Sequence, residues 1–186
     1  MSDRESLAAL LRERSISFGD FRLTSGQRSH YYIDARKTTM SAPGQVLIGR
    51  LGLDAIREVG WAPAGVGGLT LGADPVAYAI AAAAHRGGVA IDAFTVRKQP
   101  KEHGTARRVE GCFAAGGAVV VIEDVITTGQ SALEAIHVIE AEGGRVLGVL
   151  AVVDRQEGGR AALERAGYAV EALVSAGDLG LAADAG

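Results

Sequence analysis

The 186-residue chain is 48% hydrophobic and 22% charged, with a formal net charge of -3, a composition that suits one soluble globular domain. The slightly acidic balance excludes a global basic field for nucleic acid or an anionic membrane, and the single cysteine, Cys112, excludes a disulfide framework or a cysteine-based zinc site within one chain. No apolar stretch approaches the ~20 residues of a membrane span, and Asp3, Arg4, Glu5, Arg12, Glu13 and Arg14 interrupt any signal-peptide pattern, so the expectation is a cytoplasmic protein with no nucleic-acid or membrane partner.

Ser2-Asp3-Arg4-Glu5 reads as a capping box ahead of a helix carrying Leu7, Leu10 and Leu11. Phe18 to Ala35 follows, with turn signals at Gly19, Ser25 and Gly26 and a strand at Tyr31-Tyr32-Ile33. Leu47, Leu51 and Ala55 recur at four-residue spacing, which predicts a helix over Gln45 to Glu58. Ala64 to Gly68 reads as a short buried strand. Asp74-Pro75 reads as an N-cap and first helical residue of a helix reaching about His85. Ala90 to Val96 is a strand, and Lys98 to Gly111, with Pro100 and Gly104, a long polar loop. The remaining elements are a strand at Ala118 to Ile122, a helix at Ser131 to Glu142, a strand at Arg145 to Val153, a short helix at Gly159 to Ala166 and a strand at Ala169 to Val174. The Gly/Ala-rich tail beyond Ser175 reads as loosely held. Strands alternating with helices imply an α/β fold, a central parallel sheet flanked by helices, with no repeat and no second domain. Cys112 has no motif supporting a nucleophilic role and reads as a small buried or half-buried residue. His30, His85 and His137 lack ligand partners at useful spacing and read as structural.

The most informative segment is Val119 to Ser131. A β-branched run ends in Glu123 and Asp124, and the loop Thr127-Thr128-Gly129-Gln130-Ser131 leads into a helix. Ligands of open parallel sheets bind beyond the carboxyl ends of strands, and a helix N-terminus offers unpaired amides and a favourable dipole to an anion. Gly129 lets backbone approach, while Thr127, Thr128 and Ser131 add hydroxyls, so a monophosphate fits. Carboxylates instead suit sugar hydroxyls, a magnesium ion or a nascent carbocation. The segment therefore favours a ribose 5-phosphate over a nucleoside triphosphate. No G-x-x-x-x-G-K-[ST] is present, and the nearest G-x-G-x-x-G, starting at Gly65, has Thr70 in place of its third glycine.

Two of the three lysines, Lys98 and Lys101, fall in Arg97-Lys98-Gln99-Pro100-Lys101-Glu102-His103-Gly104, and Arg107 and Arg108 follow. Such a cluster in an acidic protein asks for an anionic partner. A diphosphate leaving group fits: the cations neutralise it as the C–O bond breaks and His103 can donate a hydrogen bond or proton. A long loop can also close over substrate and exclude water.

Val119 to Ser131 resembles the phosphoribosyl diphosphate signature of the type I phosphoribosyltransferases, and the loop is similar to the mobile catalytic loop of the orotate phosphoribosyltransferase family. Phe21 to Gly26 with Ser29 to Asp34 resembles that family's N-terminal hood segment, Gly67 to Pro75 its pyrophosphate-side loop, and Val153 to Glu157 the segment whose arginine reads the orotate carboxylate. The resemblance spans roughly residues 15 to 180. It implies a single domain over 1–186, with a small hood formed by roughly 1–40 plus the C-terminal tail and a catalytic loop at roughly 98–110.

The resemblance further implies that phosphoribosyl diphosphate is held by Arg97, Lys98, Lys101 and His103 and by the run Glu123, Asp124, Val125, Ile126, Thr127, Thr128, Gly129, Gln130 and Ser131. Thr127 and Arg155 would hold orotate, and Lys98, Lys101, His103 and Asp124 would be catalytic. A guanidinium fork pairs bidentately with a carboxylate, which makes Arg155 sensible on chemical grounds; alternatively it forms a surface salt bridge with Asp154 or Glu157. Tyr31 and Tyr32 either line the base pocket or pack in the core. Mg2+ is expected to be carried by the substrate, with no direct protein ligand. The resemblance also implies a homodimer whose loop serves the neighbouring subunit. Thr24 and Leu71-Gly72 depart from the lysine and Tyr-Lys pair of some members, leaving fewer cations on the pyrophosphate side. Two other readings, a purine or other pyrimidine as acceptor and a nucleic-acid-binding sensor of phosphoribosyl diphosphate, fit less well with Arg155, the acidic balance and the loop lysines.

Overall fold

The computed structural model describes residues 1–22, 28–99 and 107–181. Helix α1 (Asp3–Arg14) starts at the expected capping box, with Ser2 Oγ accepting from the Glu5 amide and the Glu5 carboxylate accepting from the Ser2 amide. Strands β1 (Ile16–Arg22) and β2 (Arg28–Ile33) form a separate antiparallel pair. β2 alternates between exposed and buried residues, turning Ser29, Tyr31 and Ile33 inward. β1 does not alternate; most of it is exposed, so the period-2 signal that reveals a strand is missing. A four-residue helix, α2 (Arg36–Thr39), follows and leads into α3 (Ala42–Glu58). α3 starts three residues before Gln45 because Ser41 caps it, its Oγ accepting from the Gly44 amide.

The central sheet holds β3 (Gly65–Leu69), β4 (Asp92–Val96), β5 (Val109–Gly111), β6 (Ala118–Ile126), β7 (Arg145–Asp154) and β8 (Val170–Ser175), in the order β5-β4-β3-β6-β7-β8. Every neighbouring pair is parallel except β4 with β5. Helices α4 (Ala73–Arg86), α5 (Gln130–Ala141) and α6 (Gly159–Arg165) make the crossovers. Two apolar layers result. Val120 and Ile122 of β6 face the layer built with α1, α3 and α4, and Val119 and Val121 face the layer built with α5 and α6. Burial on both faces explains why β6 reads as a continuous apolar run.

The chain leaves β3 toward β4 and β5 and leaves β6 in the other direction, toward β7 and β8. The β3–β6 boundary is therefore the topological switch point, where ligands of open α/β sheets bind. The ladder between these strands ends at Gly67 and Val121, and from Ile122 onward β6 pairs with β7 alone.

Several elements differ from the sequence expectation. α4 begins at Ala73 with Gly72 as its N-cap. Asp74 does not cap it; its buried carboxylate accepts instead from the Thr95 hydroxyl on β4. The segment expected as loop through Gly111 ends in β5, and β6 runs four residues beyond Ile122, so Glu123 and Asp124 belong to the strand itself. The tail is held at least to Leu181: Leu179 and Leu181 are buried, and the Asp178 carboxylate accepts from the Ser175 amide and hydroxyl at 2.8 and 2.9 Å. Cys112 is exposed rather than buried or half-buried, because it follows an edge strand. His30, His85 and His137 are all exposed. No helix among the described residues is long and apolar enough to cross a membrane.

Candidate active site

A cavity of about 740 Å3 opens at the switch point, within the size range of small-molecule sites. Its walls come from the end of β2 through the first residue of α2 (Tyr32 to Arg36), the passage from β3 into α4 (Leu69 to Ala73), Lys98, the end of β6 with its loop, and Arg155. The structure thus brings Lys98, Glu123, Asp124, Val125, Thr127, Thr128, Gln130, Ser131 and Arg155 to one space.

Gly129 shapes this cradle from beneath. It has φ 80°, and a Cβ there would come within 2.9 Å of the Gly159 carbonyl and 3.2 Å of the Leu163 side chain. Gly159 is equally tight, since a Cβ would meet the Thr127 carbonyl at 2.5 Å. Two glycines thereby let the loop sit flat on α6, with the first-turn amides of α5 left without intrahelical acceptors. Ile126 points away into the α5–α6 layer.

The acid pair is electrostatically unusual. Glu123 is buried, and its pKa is raised to about 8, mainly by loss of solvent, further by the Asp124 charge, with Lys98 acting the other way. Burial also raises Asp124; its own and the Val125 amides and the Arg36 charge oppose the shift. The Val125 amide donates to Asp124 Oδ1 at 2.9 Å. Among the described residues, no three acidic, histidine or cysteine side chains converge to hold a metal by themselves.

Glu123 has a measurable cost. The folded protein keeps its proton to about pH 8, whereas an unfolded chain releases it near ~4.3. The folded state then binds more protons across that window, so this residue makes stability fall as pH rises from the unfolded to the folded pKa. Glu123→Gln is expected to melt several degrees above the wild type at pH 8.5, with the gap closing toward pH 5. Thermal melts across pH check this; a gap that stays constant, or opens toward acid, would refute the assignment.

Arg155 lies just past β7, where its amide donates to the Ile126 carbonyl at 3.0 Å. It is 4% exposed, so the ion pair that it makes with Glu157, Nη2 to Oε1 at 2.6 Å, is buried rather than a surface bridge. Asp154 is not its partner; that carboxylate binds Arg160 and the Gln156 amide. The Arg155 guanidinium stands 4.6 Å from the Tyr31 ring centroid, and Nη2 reaches Ser29 Oγ at 3.4 Å. Nε is buried with no hydrogen-bond partner among the described residues, an energetic cost that few buried donors carry. Tyr31 packs in the core and Tyr32 lines the cavity, which separates the two roles that the sequence left open.

The loop's feet are well defined. The Arg97 amide donates to the Arg108 carbonyl and Arg108 Nε to the Arg97 carbonyl, both at 2.8 Å. Arg97 lines a smaller recess beside Thr70 and Lys98 and pairs with Glu110 at 3.1 Å. Arg108 is held by Glu134, and its amide by Glu142, so it serves as an anchor rather than as a free cation. Lys101 and His103, like Thr24, lie outside the described residues.

Sequence reasoning missed Arg36, which lines the cavity and pairs with Asp34 at 2.8 Å. The only local signal was an acid and a base two residues apart after a strand.

No protein-family profile matches the chain. It is 44% identical over 182 residues to the orotate phosphoribosyltransferase of Aquifex aeolicus, covering 96% of this chain and 98% of that one. The crystal structure of Mycobacterium tuberculosis H37Rv orotate phosphoribosyltransferase superimposes with a TM-score of 0.85 at 45% identity, covering 97% of this chain and 100% of that chain. Another structure of that protein, in complex with 5-phospho-α-D-ribosyl 1-diphosphate, gives 0.81 at 42% identity with the same coverage.

Proposed function

The chain belongs to the orotate phosphoribosyltransferase family, and we propose how its cavity divides the work of that reaction. The enzyme is a pentosyltransferase of pyrimidine biosynthesis: it moves the 5-phosphoribosyl group from phosphoribosyl diphosphate to orotate, releasing pyrophosphate and forming orotidine 5'-monophosphate. The fold is the type I phosphoribosyltransferase α/β fold. We assign residues 1–186 to one such domain, with roughly 1–40 and the C-terminal tail as hood.

The observation that carries the division is a buried guanidinium on the wall of the same cavity as an acid pair and a helix N-terminus that no side chain caps. Thr127, Thr128, Gln130 and Ser131 take the 5-phosphate, with Gly129 as the floor. Glu123 and Asp124 face the ribose hydroxyls. Asp124, the more exposed acid, supplies negative charge beside C1 as the bond to diphosphate lengthens. Arg155 takes the orotate carboxylate, with Thr127 beside it, and Lys98, Lys101 and His103 receive the departing pyrophosphate, with Arg97 at the loop's base. The residues work by positioning and charge; none is needed as a nucleophile.

Mg2+ enters in this reading on the substrate's diphosphate and hydroxyls, whose charge it offsets, with the Asp124 carboxylate on the same cavity wall. A homodimer in the cytoplasm, with the 98–110 loop reaching the neighbouring subunit, completes the reading.

One assay tests it: protein, Mg2+, phosphoribosyl diphosphate and orotate are mixed and orotate absorbance is followed. Turnover with adenine or hypoxanthine and none with orotate would overturn the base assignment. Lys101→Ala is expected to cut turnover by orders of magnitude without unfolding the protein. If the loop crosses subunits, mixing Lys101→Ala with Asp124→Asn should restore about a quarter of the wild-type rate, since half the exchanged dimers then own one intact site. No recovery after verified subunit exchange would confine the loop to its own subunit.

A further inference from the structure

We propose that Arg36 is the fixed cation for the diphosphate end of the donor substrate, an inference that rests on the division of the cavity given above. Among the described residues the cavity is lined by three acids, Asp34, Glu123 and Asp124, and three cations, Arg36, Lys98 and Arg155. A diphosphate brings several negative charges into this space and cannot be held there without positive partners. Arg155 is committed elsewhere, buried against Tyr31 and tied to Glu157 and Ser29. Lys98 stands at the foot of the loop.

The turn between β3 and α4 supplies no charge. Leu71 and Gly72 are neutral, and a Cβ at position 72 would lie within 2.7 to 2.8 Å of the Asp124 carboxylate atoms. No side chain fits there while Asp124 keeps its place. Arg36 faces the same cavity from the other wall and sits on a helix rather than on a loop.

Its chemistry suits the role. Nε donates to Asp34 Oδ1 at 2.8 Å, which orients the planar fork, and neither terminal nitrogen has a hydrogen bond among the described residues. Two parallel donors therefore remain for phosphoryl oxygens. The guanidinium lines the same cavity as Asp124, and its charge opposes the rise in that carboxylate's pKa. A plain counterion for Asp34 would show the ion pair, but it would not need to line the cavity.

The test is steady-state kinetics of Arg36→Gln and Arg36→Lys with each substrate varied, together with inhibition by inorganic pyrophosphate. Losing one charge-assisted contact should raise the KM for phosphoribosyl diphosphate about tenfold or more and weaken pyrophosphate inhibition by a similar factor. The KM for orotate should stay within about twofold, since the charge acts at the other end. Arg36→Lys should recover part of the loss. Unchanged donor KM and pyrophosphate inhibition in Arg36→Gln, or a shift confined to orotate, would overturn the proposal. Calorimetric titration of pyrophosphate with Mg2+ into wild type and Arg36→Gln reads the same contact without turnover. Equal affinities there would also overturn it, whereas absence of orotate turnover in the wild type would instead defeat the function assigned above.

Discussion

Asp124→Asn is expected to lower kcat by about two to three orders of magnitude, the usual loss when one electrostatic contact to a charge-developing transition state is removed. The substitution keeps size and keeps an oxygen to accept the Val125 amide, now bonded at 2.9 Å, so the strand end should survive. What disappears is a charge that the site keeps at a real energetic cost, because burial already pushes that carboxyl upward. Glu123→Gln offers the contrast. With a pKa of about 8, Glu123 is mostly protonated at neutral pH in the empty site, and the amide resembles its resting state. The two variants should therefore separate in kcat at pH 7, with Asp124→Asn far the slower and melting temperatures showing both folded. Equal, mild losses would mean that charge at Asp124 does not act on the reacting carbon.

The second large effect concerns Arg155. Arg155→Ala should reduce kcat/KM for orotate by about a thousandfold or more, because a site built around a charged hydrogen bond rejects a partner left unpaired. It should also destabilise the fold, by less than the ~3–5 kcal/mol of a fully buried pair, because the Glu157 side chain keeps 18% of its exposure. Here the stranded group is Glu157, whose Oε2 already lacks a partner among the described residues. The double variant Arg155→Met with Glu157→Gln separates the two losses. It should recover most of the thermal stability and none of the orotate activity. Recovery of activity along with stability would show that Arg155 supports the fold and does not read the base.

The most legible part of the site is contiguous in the sequence, whereas Lys98 and Arg155 reach the same cavity from other segments. β6, the cradle loop and the start of α5 occupy Ala118 to Ser131, where an apolar run, a positive-φ glycine and hydroxyl residues each leave a local trace. Of β2 only Tyr31–Ile33 was legible, from aromatic and β-branched residues; Arg28, Ser29 and His30, and the mostly exposed β1, carry no such signal. β5 is three residues of edge strand, too short for any periodicity. Asp74-Pro75 carried a correct helix signal, but a long-range bond to Thr95 took the carboxylate that local preference assigns to capping. Arg36 and the burial of Arg155 depend on residues distant in sequence: Asp124 for the first, Tyr31 and Ser29 for the second. A chain read locally gives residue types at a site more readily than it gives their depth.

The grip of β2 on Arg155 makes two apparently separate events one equilibrium. The guanidinium that we assign to the base is braced by Tyr31 and Ser29 of the small antiparallel pair. Any shift of that hairpin re-aims the donor, and any ligand that prefers the braced donor steadies the hairpin by the same free energy. Affinity for the base is then partly a property of Ser29, a buried residue absent from the cavity wall, and changes in β1 or β2 far from substrate would surface first as altered selectivity for the acceptor.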